Sequence, residues 1–142
     1  MQEKHMNSAY WALRIALGVV PVVAGLDKFT NLLTNWDMYL SPLAARVLPV
    51  SPALFMRACG VVEVVVGAAI LLGHARIFGW VAMGWLAAIA VNLVSTGNFL
   101  DVAARDAVMA VAAFALAQLA QVHEHAPQQA AEKRGTPAHA GA

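Results

Sequence analysis

Ionisable side chains stand where charge is hardest to hold. Arg14, Arg57, Glu63, Arg105 and Asp106 fall inside long apolar stretches, and Asp27, Lys28 and Asp101 fall at their ends. At mid-bilayer each would cost about 2.5–3.5 kcal/mol even on a lenient insertion scale, so each requires a partner or a task. Read as helices rising about 1.5 Å per residue, the stretches place Glu63 roughly 15–18 Å and Arg14 roughly 21–23 Å from the face carrying the long connection 30–52. About one turn separates the two, which predicts that they neutralise each other in hydrocarbon. By the same arithmetic Lys28, Arg57, Asp101, Arg105 and Asp106 fall within about 10 Å of the long-connection face, with Asn92 at their level. Arg14, Lys28, Glu63, Asn92, Arg105 and Asp106 are therefore the candidate ligand-binding or functional cluster. The bland alternative is that the charges hold helices in register while Arg57 and Arg105 snorkel to the interface.

Other chemistry is sparse. The single cysteine, Cys59, excludes a disulfide framework, a CxxC pair and iron–sulfur ligation. His5, His74, His123, His125 and His139 all fall at the terminal face, so no axial haem ligands are available between helices. His123 and His125 could hold a surface metal, but a solvated pair is the simpler reading. Trp11, Trp36, Trp80 and Trp85 read as interface anchors and packing. No catalytic residue, metal site or covalently bound cofactor is assigned.

The elements that must position this cluster follow from composition. Of 142 residues, 61% are hydrophobic and 12% charged, against about 25% charged in a soluble domain. Four apolar stretches, 9–29, 53–72, 77–95 and 102–122, are near or above the roughly 18 residues that argue for a membrane span. A signal peptide is a poor reading of the first, which contains Arg14 and Pro21 and has no small-x-small closing site. The expected fold is all-α, an antiparallel four-helix transmembrane bundle over 1–125 with a disordered polar tail over 126–142.

In the 30–52 connection, Leu32, Leu33, Trp36, Tyr39, Leu40 and Leu43 recur at helical spacing, which predicts a short amphipathic segment in the headgroup zone. Pro42, Pro49 and Pro52 interrupt it, and Ser51 with Pro52 makes a start for the second span. The connections 73–76 and 96–101 are short enough for tight antiparallel turns. With an even number of spans, Lys4, Arg76, Lys133 and Arg134 share one face against Lys28 and Arg46 on the other, so both termini are expected in the cytoplasm. A net charge of +1 without a basic run gives no reason to invoke nucleic acid.

Helical facing adds a stripe in each of the first two spans. Arg14, Gly18, Pro21, Gly25 and Lys28 follow spacings of 4, 3, 4 and 3; Gly60, Glu63 and Gly67 repeat the pattern. Small residues let membrane helices approach, so the stripes are expected to face each other with Glu63 in the seam.

On Arg14, Gly18, Gly25 and Lys28, on Gly60, Glu63, Gly67 and the closing Leu71-Leu72-Gly73, and on Arg105-Asp106, the chain resembles the DoxX family of small four-helix bacterial membrane proteins over 10–120. That family is similar to the quinone-linked membrane subunit of thiosulfate oxidation, and some members are associated with oxidative-stress complexes. The resemblance implies a bacterial inner-membrane location, and the expected bundle holds a polar cavity open toward the long connection and roofed by its amphipathic segment. Two function classes stand. One is an accessory subunit that binds a quinone or other small amphipathic ligand beside a redox or other membrane-complex protein. The other is a structural or assembly component with no ligand chemistry of its own. A transporter is weaker, for lack of broken helices.

Overall fold

In the computed structural model residues 2–135 are described, with side-chain surroundings for 3–126. The chain is all-α, with no strand among these residues: α1 (Gln2–Asp27), a 3-10 turn (Trp36–Tyr39), α2 (Pro42–Val47), α3 (Pro52–Leu71), α4 (Ala75–Ser95) and α5 (Leu100–Gly135). Three helical segments, Glu3–Asp27, Pro52–Leu71 and Ala75–Ser95, are long and apolar enough to cross a membrane. Their outward faces carry Val19, Val23, Leu54, Val65, Val81 and Val91, all at least 44% exposed, as a lipid-facing surface requires.

Local chemistry explains the boundaries. Ser41 and Ser51 each accept a backbone N–H three residues on, from Ala44 and Leu54, and each is followed by a proline at the first helical position. Pro42 thus begins α2, where interruption was expected; its missing N–H has no intrahelical acceptor at that position anyway. The amphipathic segment is accordingly split into the 3-10 turn and α2. Helix α5 continues to Gly135, past the 126 boundary expected for an irregular tail, because Ala, Gln, Glu and Lys there are strong helix formers. The remainder of that tail, 136–142, lies outside the described residues.

Helix α1 packs chiefly on α3, and α4 chiefly on α5, with lighter contacts joining α1 to α5 and α3 to α4. The first pair is set by glycines. A Cβ on Gly25 would lie 2.5 Å from the Gly60 carbonyl oxygen, and one on Gly67 would lie 2.5 Å from that of Gly18. The two backbones therefore touch, as the facing stripes predicted. Each matched pair of numbers adds to 85, which defines the antiparallel register. In the second pair a Cβ on Gly79 would lie 2.9 Å from the Ala117 Cβ, and Ala82, Ala110, Ala113 and Ala120 are buried beside it.

Gly67→Leu should therefore lower stability by about 1–3 kcal/mol or more, since neither backbone can yield without opening the seam. Gly84→Ala, at a site with nothing within 4 Å, should be neutral or stabilising by up to about 1 kcal/mol through helix propensity. Denaturant titration in mild detergent compares the two, and equal losses would contradict the seam.

Candidate functional site

The glycine register brings two buried charges together. Lys28, just past the end of α1, donates from Nζ to Glu63 Oε2 at 2.6 Å, with the two side chains only 6% and 9% exposed. The Trp36 ring covers the ammonium, its centroid 3.7 Å from Nζ, within cation–π range. Trp36 is held in turn by Asp27, whose carboxylate accepts the indole N–H at 2.8 Å. The same carboxylate accepts the backbone N–H groups of Leu32 at 2.9 Å and Leu33 at 3.1 Å, and the Thr30 hydroxyl at 3.1 Å. One buried aspartate thus folds the chain back over Lys28 and satisfies the turn that does so. On α5, buried Asp106 is bridged by its exposed neighbour Arg105 at 3.0 Å.

Arg14 does not pair with Glu63. It donates from Nε to the Ile70 carbonyl at 2.9 Å, from Nη2 to that of Leu71 at 2.7 Å, and from Nη1 to the Tyr10 hydroxyl at 3.3 Å. Its guanidinium also sits 4.7 Å from the Trp11 ring centroid. Arg14 therefore caps the C-terminus of α3, where carbonyls lack intrahelical donors and the helix dipole favours a cation. Two geometric facts overturn the predicted pair. The register makes Arg14 level with Leu71, about two turns or roughly 12 Å from Glu63. Helical Cβ atoms also tilt toward the N-terminus, so in antiparallel helices Arg14 and Glu63 lean apart while Lys28 and Glu63 lean together.

Asn92 serves the connection. Its side-chain nitrogen donates to the Tyr39 carbonyl at 2.8 Å, and its oxygen accepts from the Ser41 backbone N–H at 3.2 Å. Tyr39 also packs its ring against Phe99 in a tilted contact, 4.7 Å between centroids. Phe99 holds φ +57°, a left-handed conformation that is unfavourable for a bulky residue and is compensated here by tertiary contact. The structure thus joins Lys28 to Glu63 and Arg105 to Asp106, while Arg14 and Asn92 bind backbone elsewhere. Arg57 is exposed. Asp27, Trp36, Tyr39 and Phe99 were not among the candidate residues. Of these, Asp27 alone left a signal: a carboxylate at a helix end followed by unpaired backbone donors.

The polar groups described here bond to one another or to backbone groups of this chain. A groove of about 380 Å³ between α4 and α5 is apolar, lined by residues including Ala90, Val94, Ala103 and Ala107.

The family profile described as DoxX matches residues 9–96, which include most of α1, the connection, α3 and α4. No curated protein and no solved structure matches the chain.

Double-mutant cycles should separate the two basic residues. Glu63→Met alone should cost about 3–5 kcal/mol by leaving Lys28 charged and buried, and adding Lys28→Met should recover much of that loss. Arg14→Met combined with Glu63→Met should instead be additive within about 0.5 kcal/mol. Strong coupling of Arg14 to Glu63 in detergent unfolding would contradict this geometry.

Proposed function

The chain belongs to the DoxX family and is a membrane protein, and from that premise we propose that it is an accessory subunit whose Lys28/Glu63 centre binds the polar head of a quinone or other small amphipathic ligand. Helix α5 supplies the fourth span through 102–122, completing a transmembrane four-helix bundle in a bacterial inner membrane. Both termini are cytoplasmic; matching signals from reporters fused at the two ends would support four spans, and opposite signals would reduce them to three.

The observation that carries the proposal is a buried ion pair where packing does not need one. Gly18, Gly25, Gly60 and Gly67 already determine how α1 meets α3. A buried pair generally stabilises no more than well-packed apolar side chains of similar volume. Lys28 and Glu63 therefore add chemistry to a seam that is already in register: three ammonium donors, a carboxylate and an aromatic cover, about 8–16 Å below the long-connection face. A ligand carbonyl or hydroxyl can share those donors while its tail runs out between the helix pairs into lipid. Electron transfer, where it occurs, would belong to a redox partner.

A second reading, a structural or assembly component, draws on Arg14, Asp27 and Asn92, whose bonds all go to this chain's own carbonyls, loop and helix ends. Titration calorimetry with a soluble quinone analogue distinguishes the two. Under the ligand reading Lys28→Met weakens binding by about 1.5–3 kcal/mol, a factor of roughly 10–150, at matched folded fraction. Under the structural reading it lowers stability alone, and no quinone binds either protein.

A further inference from the structure

We propose that the indole N–H of Trp85 is a second recognition point for the bound amphiphile, donating to a carbonyl oxygen of its head group. This inference rests on the ligand reading above and names a further contact within it. The Trp85 Nε1 atom is buried and has no hydrogen-bond acceptor among the described residues. Such a donor is shut off from water without a compensating bond, a condition that native interiors rarely leave unmet. The Trp36 indole, by contrast, is satisfied by Asp27, while Trp11 and Trp80 are more than 40% exposed on the outer surface.

Position on α4 turns Trp85 inward. Phe78, Trp85 and Asn92 recur every seven residues and so share one stripe of the helix. Phe78 packs against the core cluster at one end of that stripe, and Asn92 holds the connection after α1 at the other. Trp85 thus shares the side of α4 that carries Phe78 and Asn92, and α4 meets the first helix pair through light contacts with α3. By rise along each helix, Trp85 stands about 15 Å from the end of α4 at Ser95 and Glu63 about 16 Å from the start of α3 at Pro52.

The donor set narrows the ligand class. An indole N–H and an ammonium can only donate. A head group suited to both carries acceptor oxygens on two sides, as a dione does; a cationic amphiphile brings no acceptor and would meet Lys28 with like charge. Glu63 keeps the ammonium charge neutralised while leaving other Nζ protons free to bond.

The test compares wild-type protein, Trp85→Phe and Lys28→Met in lipid nanodiscs, titrated with decylbenzoquinone and with decylbenzene, which has the tail without the oxygens. Trp85→Phe should weaken quinone binding about five- to tenfold, the loss of one neutral hydrogen bond, and leave decylbenzene unchanged. Equal losses for both probes would mean that the indole fills space only, and equal quinone affinity in wild-type and Trp85→Phe would also overturn the assignment. Benzothienylalanine at position 85, with sulfur in place of N–H, gives the same readout where the phenylalanine variant folds poorly. Absence of quinone binding in wild-type protein removes the ligand reading and this contact with it. Weakening in Lys28→Met without weakening in Trp85→Phe removes this contact alone.

Discussion

Backbone contact between α1 and α3 is the constraint on which the rest depends. Gly25 against Gly60 and Gly67 against Gly18 leave no room for a side chain at either crossing, so the two helices meet in one register. Membrane helices gain little from hydrophobic association, because lipid is as apolar as their side chains; close approach of small residues replaces that force. Everything polar is then placed by this register. Lys28 falls over Glu63, Arg14 falls on the open carbonyls of α3, and Asp27 is left at a helix end from which it gathers the loop.

Two tightly joined helix pairs with lighter contact between them make a structure with an obvious interior boundary. Small residues close each pair from within: glycine for α1 and α3, and Gly79 with Ala113 and Ala117 for α4 and α5. Across the boundary Leu17, Val66 and Ile70 join Leu86 and Leu116 in one apolar cluster, and polar or aromatic ties add to it at the two ends. At the terminal face Tyr10 stacks on His123 at 4.4 Å, and at the other Asn92 and Phe99 hold Tyr39; within the α4–α5 pair, Arg76 meets Glu124 at 3.5 Å. The exposed Arg76 pair contributes little by itself, since solvent-accessible ion pairs are worth at most about 1 kcal/mol. In the proposed reading, this boundary is where a tail can enter and where the Lys28/Glu63 centre is reached.

Much of this architecture was legible in the sequence because it depends on period and composition. Apolar length located the helices, Ser51 with Pro52 marked the start of α3, and spacings of three and four picked out the glycine faces. What failed was assigning partners by depth alone. Counting from helix ends put Arg14 within a turn of Glu63 because α1 was taken to reach the long-connection face, whereas it stops at Asp27, about 9 Å short of the start of α3 in the seam register. Two glycines seven apart on each helix contained the correct register; aligning them would have shown Lys28 nearer to Glu63 than Arg14 is. The contacts that hold the roof could not be read in this way. Trp36, Tyr39 and Phe99 are brought together by tertiary bonds from Asp27 and Asn92, and no local period encodes those.

Solid-state NMR on protein labelled at lysine and arginine side-chain nitrogens and glutamate carboxyl carbon, in lipid nanodiscs, tests the central claim most directly by reading which cation lies against Glu63. The account predicts a through-space contact between Lys28 Nζ and the Glu63 carboxylate in the empty protein, lost in Lys28→Met and perturbed when decylbenzoquinone is added. A Glu63 carboxylate without that contact, or one in contact with the Arg14 guanidinium instead, would contradict it.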